Sequence, residues 1–424
     1  MYVVNDQNYL DERIDLLSGS LTGIWENNDF FVGDAPYPLP TLNYITSNLV
    51  NIQKNINLKD RIIYHLSGYG SNYNEAKLSF LGESAERYSF ALMPLTLNED
   101  ITVASYNQLV DKYGVNSVLP LEYINIFDKD SDMSFINGDD EIQWVKMNKL
   151  LNPEEVLFEP AQLVMFYHKS KKEKTFNKSA VSTGTACNEH IESALENALI
   201  EYLQIDSVNL WWYGGHKGKK ISVNLDELFR KYFNCSSREF EKFFTVKFTD
   251  ISFDKGLWVI ACEILSENKR PHYIMGVQGG FSKEQVIYRS FMETLTVMAY
   301  AMKMSWINTD FYDFSKKAKI DNLDKNVAYY AIKGKPVLKL NLKNLNYKKK
   351  VFSLRELINV NKEKLQWSAF SNITPIEFKN LNLEVVRIIC PELLPVAMPD
   401  YPPKNHPRYK LTGGIINEFA HPMA

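Results

Sequence analysis

"SFLGESAERYSF", residues 79–90, reads as helix, and it sets Ser79, Glu83, Glu86 and Arg87 at offsets of nought, four, seven and eight. At roughly 100° per residue the hydroxyl and both carboxylates fall within about 60° of one another, with the guanidinium at the edge of the stripe. Leu81, Ala85 and Phe90 surround them. The predicted helix runs from about Asn72 to Met93 and stops before Pro94, because proline disfavours helical backbone in the residue ahead of it.

Two further helices carry comparable stripes. "IESALENALIEYLQIDSVNL" belongs to a helix from about Asn188 to the stop at Gly214 and Gly215, with Ser193, Asn197, Glu201 and Gln204 inside roughly 80° of arc. Leu195, Ala198, Leu199, Tyr202 and Leu203 cover much of the rest, so this helix is too apolar to lie on the surface. The third opens at "GGFSKEQ", where Ser282 and Gln285 form a capping-box pair, and continues to about Met304 with Arg289 and Glu293 four apart. Taken singly, Glu83 with Arg87 or Arg289 with Glu293 is an ordinary helical ion pair. Two acid-bearing stripes on apolar helices need more, because a buried carboxylate must be paired or metal-bound. Glu83, Glu86, Glu201 and Gln204 are the hard oxygen ligands that Mg²⁺ accepts one or two at a time, and the arginines suit phosphate oxygens. A nucleotide polyphosphate held through metal follows. No GxxxxGK[ST], GxGxxG before a helix, HExxH or GxSxG occurs in the chain. "SGYGSN" at 67–72 offers amides that could face an anion.

The chain of 424 residues carries 48 basic and 51 acidic side chains, a net charge of −3 that excludes nucleic-acid binding by charge alone. Its 45% hydrophobic content supplies a large core. No stretch is long enough for a membrane span and the N-terminus lacks signal-peptide features, so a cytoplasmic location is the expectation. Cys187, Cys235, Cys262 and Cys390 form no CxxC pair and read as buried free thiols. "RIIYHL", "VLFEPAQLVMFYH", "LWVIACEIL" and "YIMGV" alternate as strand-like runs with the helices, giving an α+β fold with mixed or antiparallel sheets packed against long helices. Residues 1–60 form an N-terminal segment, 61–390 the main domain, and 391–424, with seven of the 17 prolines, an extended irregular arm.

"GYGSNYNEAKLSFLGESAER" resembles the first ATP-binding signature of YcaO-domain proteins, complete at Ser79, Glu83, Glu86 and Arg87. "STGTACNEHIESALENALIEYLQIDS" resembles the second, ending in Glu201 and Gln204, and "YRSFME" the third, at Arg289 and Glu293. "NLDKNVAYYA", "LNLEVVRIICPELLPV", "NHPRYKL" and the terminal "HPMA" resemble stretches of the branch that modifies ribosomally made peptides. Ser193 stands where that family usually has an acid, Thr183 where asparagine is common, Ile205 where many members carry arginine, and Ala424 where the azoline-forming branch ends in proline.

The resemblance implies a YcaO-like fold and ATP-dependent cyclodehydration of Cys, Ser or Thr in a precursor peptide to thiazolines or oxazolines, with ATP and Mg²⁺ as cofactors. It implies ATP contacts from Ser79, Glu83, Glu86, Arg87, Ser193, Asn197, Glu201, Gln204, Arg289 and Glu293, and metal ligation by Glu83, Glu86, Glu201 and Gln204. The implied base is the α-carboxylate of Ala424, positioned by His421 and Pro422. Implied partners are an E1-like leader-binding protein, as in stand-alone subunits of thiazole/oxazole-modified microcin or streptolysin-S-like systems, and a flavin-dependent azoline dehydrogenase. A thioamide- or amidine-forming relative and a non-catalytic peptide-binding scaffold are the alternatives.

Overall fold

The computed structural model describes residues 7–19, 23–25, 36–50, 52, 65–165, 173–179, 182–307, 320, 323–340 and 351–423. Side chains are described throughout these except at 7–9, 130 and 303–307.

The three helices expected from the sequence are present at Tyr73–Thr96, Ile191–Trp212 and Lys283–Ile307. Three antiparallel sheets pack with them. β1 (Asn43–Asn48) pairs with β2 (His65–Gly70). A six-stranded sheet has the order β3 (Ile101–Ser105), β4 (Glu141–Lys149), β11 (Ala369–Asn372), β12 (Glu384–Ile389), β6 (Thr185–Asn188), with β5 (Val156–Pro160) also paired to β4. A four-stranded sheet has the order β10 (Tyr273–Gly280), β9 (Trp258–Leu265), β8 (Thr245–Asp250), β7 (Lys219–Ile221).

Strand alternation fixes how these layers stack. On β12, Val385 and Ile389 join the cluster that holds Phe80, Leu81 and Ala85 of the first helix, whereas Val386 and Ile388 join the one that holds Ala198, Leu199 and Leu203 of the second. On β9, Val259 and Ala261 face the second helix, whereas Ile260, Cys262 and Ile264 pack with Phe291 and Leu295 of the third. Successive side chains of a strand point to opposite faces, so both strands are apolar on two sides. The second helix is thus sandwiched between the six-stranded and four-stranded sheets.

Four local expectations change. The first helix continues through Pro94 to Thr96, and Leu97 N–H closes it on Met93 O at 2.9 Å. Pro94 lies in the last turn, so the bond it cannot donate to Phe90 O is lost only two residues before the helix ends, and Leu97 N–H restores the closure. The second helix starts at Ile191, because residues 185–188 form β6. "VLFEPAQLVMFYH" breaks after Pro160 into a short helix at Ala161–Val164, with 166–168 outside the described residues. Of the cysteines, Cys262 and Cys390 are buried, Cys187 is half-buried and Cys235 is exposed. Residues 61–64 of "RIIYHL" also lie outside the described residues.

Residues 391–423 contain one 3₁₀ turn, Pro407–Thr412, and one isolated bridge, Ala397 to Ser179. Rather than projecting into solvent, this arm wraps the C-terminal half of the second helix. Asp206 Oδ1 accepts from Leu394 N–H at 2.9 Å, Asn209 Nδ2 donates to Pro395 O at 3.2 Å, and Trp212 Nε1 donates to Phe419 O at 2.9 Å. Arg408 forms ion pairs with Asp206 at 2.6 Å and Asp254 at 2.5 Å, all three side chains being nearly inaccessible to water. Lys364 pairs with the same Asp254.

Candidate nucleotide and metal site

In the glycine-containing turn before the first helix the amides of Ser67 and Ser71 are already engaged by carboxylates of that helix. Gly68 and Gly70 lie in β2, and the helix packs directly on them: a Cβ at Gly68 would sit 2.2 Å from Phe80 N and 2.4 Å from Ala76 O. The Ser67 N–H and Oγ–H donate to Glu83 Oε2 at 3.0 and 3.1 Å, and the Ser71 N–H donates to Glu75 Oε2 at 2.9 Å. Glycine is needed there for close approach of helix and strand.

The same pattern recurs in the other motif residues. Glu86 Oε1 accepts from Cys187 N–H of β6 at 3.0 Å, and Glu201 Oε2 from Gly184 N–H at 2.9 Å. Glu293 Oε2 accepts from Val277 N–H of β10 at 3.2 Å and from Gln278 Nε2 at 2.8 Å. Gln204 spans the same strand, its Nε2 donating to Val277 O at 2.8 Å and its Oε1 accepting from Gly279 N–H at 2.7 Å. Here too the approach is close, since a Cβ at Gly279 would lie 3.3 Å from the Gln204 Cβ. Stripes on three helices therefore secure backbone groups of β2, β6 and β10. Strand-edge amides away from water need a partner, and these side chains provide it.

Each carboxylate spends one oxygen in this way. The second oxygens of Glu86, Glu201 and Glu293 have no partner among the described residues. Glu83 Oε1 lies 3.7 Å from Arg87 Nε. Burial pushes the Glu86 carboxyl up to about 8, and the nearby Glu201 and Glu83 charges add to the rise against the Cys187 N–H and Arg87. Glu201 is also raised by burial, against the Gly184 N–H, Arg87 and Arg387. Glu293 is pushed up to about 7 by burial, opposed by Gln278, Val277 and Arg289. Carboxyls whose pKa is raised mainly by burial gain from a nearby positive charge that favours their ionised form.

Among the described residues no three His, Cys, Asp or Glu side chains form a ready-made metal cage. Mg²⁺ does not require one: it takes one or two carboxylates and completes its octahedron with water and phosphate oxygens. The donor set therefore fits Mg²⁺ carried with a polyphosphate. Ser79 and Ser193 are half-buried and Asn197 is exposed, their side chains making no hydrogen bond to a described residue. Arg289 is half-buried on the third helix, one turn before Glu293.

The family model described as YcaO cyclodehydratase, ATP- and Mg²⁺-binding, matches residues 67–394. The chain belongs to the YcaO family. No curated protein matches the sequence. Among solved structures, a heterocyclase in complex with substrate and cofactor is similar at a TM-score of 0.62 and 17% identity, covering 91% of this chain and 52% of that one. This YcaO chain thus spans about half the length of that relative. An Escherichia coli microcin synthetase McbBCD complex with pro-MccB17 bound gives 0.58 and 14%, covering 93% and 100%. YcaO from Methanopyrus kandleri bound with AMPPCP and Mg²⁺ gives 0.52 and 14%, covering 85% and 84%. At these identities the likeness establishes a shared fold. The α+β architecture and the family's ATP and Mg²⁺ agree with the sequence reading. No helix among the described residues is long and apolar enough to cross a membrane.

Of the three C-terminal positions singled out from the sequence, Ala424 lies outside the described residues. His421 is fully buried, with Nε2 2.8 Å from Ala397 O. Burial lowers its pKa to about 4, so the ring is neutral near pH 7, and a carbonyl partner makes Nε2 the protonated nitrogen. Pro422 is buried beside it. Sequence reasoning missed the backbone amides at Ser67, Gly184, Cys187, Val277 and Gly279. Backbone groups leave no mark in residue identity, although two of these five positions are glycine.

Proposed function

We propose that this YcaO protein is an ATP-dependent peptide cyclodehydratase that converts Cys, Ser or Thr residues of a ribosomally made precursor peptide into thiazolines or oxazolines. The observation that carries the reading is the set of acids from three helices, Glu86, Glu201 and Glu293, each fixed by a backbone N–H through one oxygen and without a partner among the described residues at the other. Side chains held in this way are preorganised and need no rearrangement to meet a metal–nucleotide complex.

In this reading Glu83, Glu86, Glu201 and Gln204 hold Mg²⁺, with Gln204 using the remaining lone pair of its carbonyl. Arg87 and Arg289 contact phosphate oxygens, Ser79, Ser193 and Asn197 line the nucleotide, and Glu293 orients Arg289. Bound Mg²⁺ supplies charge neutralisation across the phosphates. The substrate's thiol or hydroxyl adds to the preceding amide carbonyl carbon, and the resulting oxyanion attacks the γ-phosphorus of ATP, breaking its bond to the β,γ-bridging oxygen and releasing ADP. The carbon–oxygen bond then breaks with phosphate as leaving group. Loss of the thiol or hydroxyl proton and of the amide N–H proton leaves the C=N bond of the azoline. The net change in the peptide is one water, whose oxygen departs in phosphate.

The α-carboxylate of Ala424 serves as base, on an arm fixed by His421 and Pro422. Neutral His421 acts as an anchor rather than as a proton carrier. An E1-like partner holds the precursor's leader and a flavin-dependent dehydrogenase oxidises the azolines. The protein works in the cytoplasm, where ATP and precursor are available. The apolar ending "FAHPMA", with Ala420, His421 and Pro422 buried, favours this branch over a thioamide- or amidine-forming one.

The test is the mass of the cognate precursor after incubation with this chain, its E1-like partner and MgATP. Loss of one water per modified residue, absent in Glu83→Ala and Glu201→Ala, supports the proposal. Bound ATP without any mass change would point to an external nucleophile, and absence of nucleotide binding to a scaffold.

A further inference from the structure

The terminal segment Ala420–Met423 is held in an uncommon way. Pro422 has no N–H and cannot join a strand ladder, so the segment must be fixed mainly through its carbonyls. The helix Leu323–Lys333 supplies the donors. Asn326 Nδ2 donates both to His421 O and, at 2.9 Å, to Met423 O, and the Tyr330 hydroxyl donates to Ala420 O. Asn326 and Tyr330 are four apart, on one face of the helix.

Asn326 is fully buried, and its Oδ1 is without a hydrogen-bond partner among the described residues. A buried orphan acceptor lowers stability. An amide side chain kept there despite that cost matches a need for two hydrogens that reach carbonyls on both sides of a proline. The opposite wall of the dock is the second helix, where Tyr213 OH accepts from His421 N–H at 3.1 Å. Trp212 of that helix lies eight residues, about 12 Å, beyond Gln204. The Leu323–Lys333 helix is tied to the third helix by the Tyr300 hydroxyl, which donates to Asp324 at 3.0 Å. The dock is therefore formed by Leu323–Lys333 and the end of the second helix, which carries Glu201 and Gln204, and Leu323–Lys333 is tied to the third helix, which carries Arg289 and Glu293.

We propose that Asn326 is a positioning residue for the reaction: by gripping the carbonyls of His421 and Met423 it holds the chain's terminal segment in register with the nucleotide site. This rests on the reading above, in which the terminus reaches the reacting groups. Tyr330 completes the clamp one turn further along.

The experiment compares the full chain, Asn326→Leu, Asn326→Gln, Tyr330→Phe and a chain lacking residues 420–424. Each is assayed with MgATP, the cognate precursor and the E1-like partner, together with MgATP affinity by calorimetry and amide exchange over 414–423. Asn326→Leu is expected to lower kcat about tenfold or more, the scale of a small misplacement of a reacting group. Its MgATP affinity should stay within about twofold of the parent while exchange rises in the last residues, and Asn326→Gln, with both amide hydrogens, should recover part of kcat. Should Asn326→Leu fail to fold, Tyr330→Phe keeps the ring packing and reads the same clamp through a smaller loss of kcat. Loss of turnover in the truncated chain with none in Asn326→Leu or Tyr330→Phe would overturn the clamp and leave the terminal reading intact. Loss of kcat strictly in step with MgATP affinity would also overturn it, as a structural effect. A truncated chain that turns over normally would refute the terminal reading and the clamp with it.

Discussion

Replacing Glu86 by glutamine should abolish a pH dependence that the site geometry builds into nucleotide binding. In the nucleotide-free protein burial, Glu201 and Glu83 push the Glu86 carboxyl up to about 8, with Arg87 and the Cys187 N–H opposing. A group of that pKa is about 1% ionised at pH 6, about 10% at pH 7 and about half at pH 8. A metal–nucleotide complex that needs the carboxylate must displace the proton, so its apparent affinity should rise about fiftyfold between pH 6 and pH 8. Glu293, pushed up to about 7, adds a rise that levels off at lower pH and persists in the variant. The assay is calorimetry with MgATP across this range in buffers of differing ionisation enthalpy, which also counts released protons. Glu86→Gln gives the baseline, because protonation of ATP is common to both proteins. The raised pKa further means that the folded, nucleotide-free protein binds the proton more tightly than the unfolded chain. Its stability should therefore fall as pH rises from about 5 to about 8, and the variant should fall less steeply, keeping only the share of Glu293 and Glu201. Parent and variant affinities that run parallel from pH 6 to pH 8 would refute the reasoning.

Other perturbations follow from the same structure. Arg408→Met strands Asp206 and Asp254 in the interior with Lys364 as remaining cation, and should cost about 3–5 kcal/mol in denaturant unfolding while exposing the arm to trypsin at Lys404 and Lys410; a loss under about 1 kcal/mol with the arm still protected would contradict the packing. Gly68→Ala drives a methyl into the backbone of Ala76 and Phe80, so it should cost about 3 kcal/mol or more by the same measurement. Gln204→Leu removes both bonds to β10, and amide exchange at Gly279 should rise while the antiparallel pairing of β10 with β9 persists.

Helices and charge stripes were legible because a period of 3.6 residues puts Glu83 and Glu86, or Glu201 and Gln204, on one face whatever the fold around them. Burial of the second helix followed from Leu195, Ala198 and Leu199 in the same way. What the stripes touch was not legible. Glu86 meets Cys187 a hundred residues away, and Glu293 meets Val277, through pairings set by how sheets stack. "GYG" illustrates the ambiguity of glycine: a phosphate loop and a tight helix–strand crossing both require the missing Cβ, and only the packed neighbours Ala76 and Phe80 tell them apart. Pro94 misled because the bias against helix before proline is a tendency, and here the helix runs two residues past it before Leu97 N–H closes on Met93 O. The prolines of the arm announced irregular backbone, whereas its docking depends on Asp206, Asn209 and Asn326, polar residues that the sequence offers with no hint of burial.

The most direct test of amide activation is to carry ¹⁸O in the carbonyl that precedes a modifiable Cys of the precursor, then follow the label after incubation with the chain, its E1-like partner and MgATP. Phosphorylation of the amide oxygen predicts one ¹⁸O atom in inorganic phosphate for each azoline formed, and none in Glu201→Ala. Azoline formation with the label released to water would contradict the account.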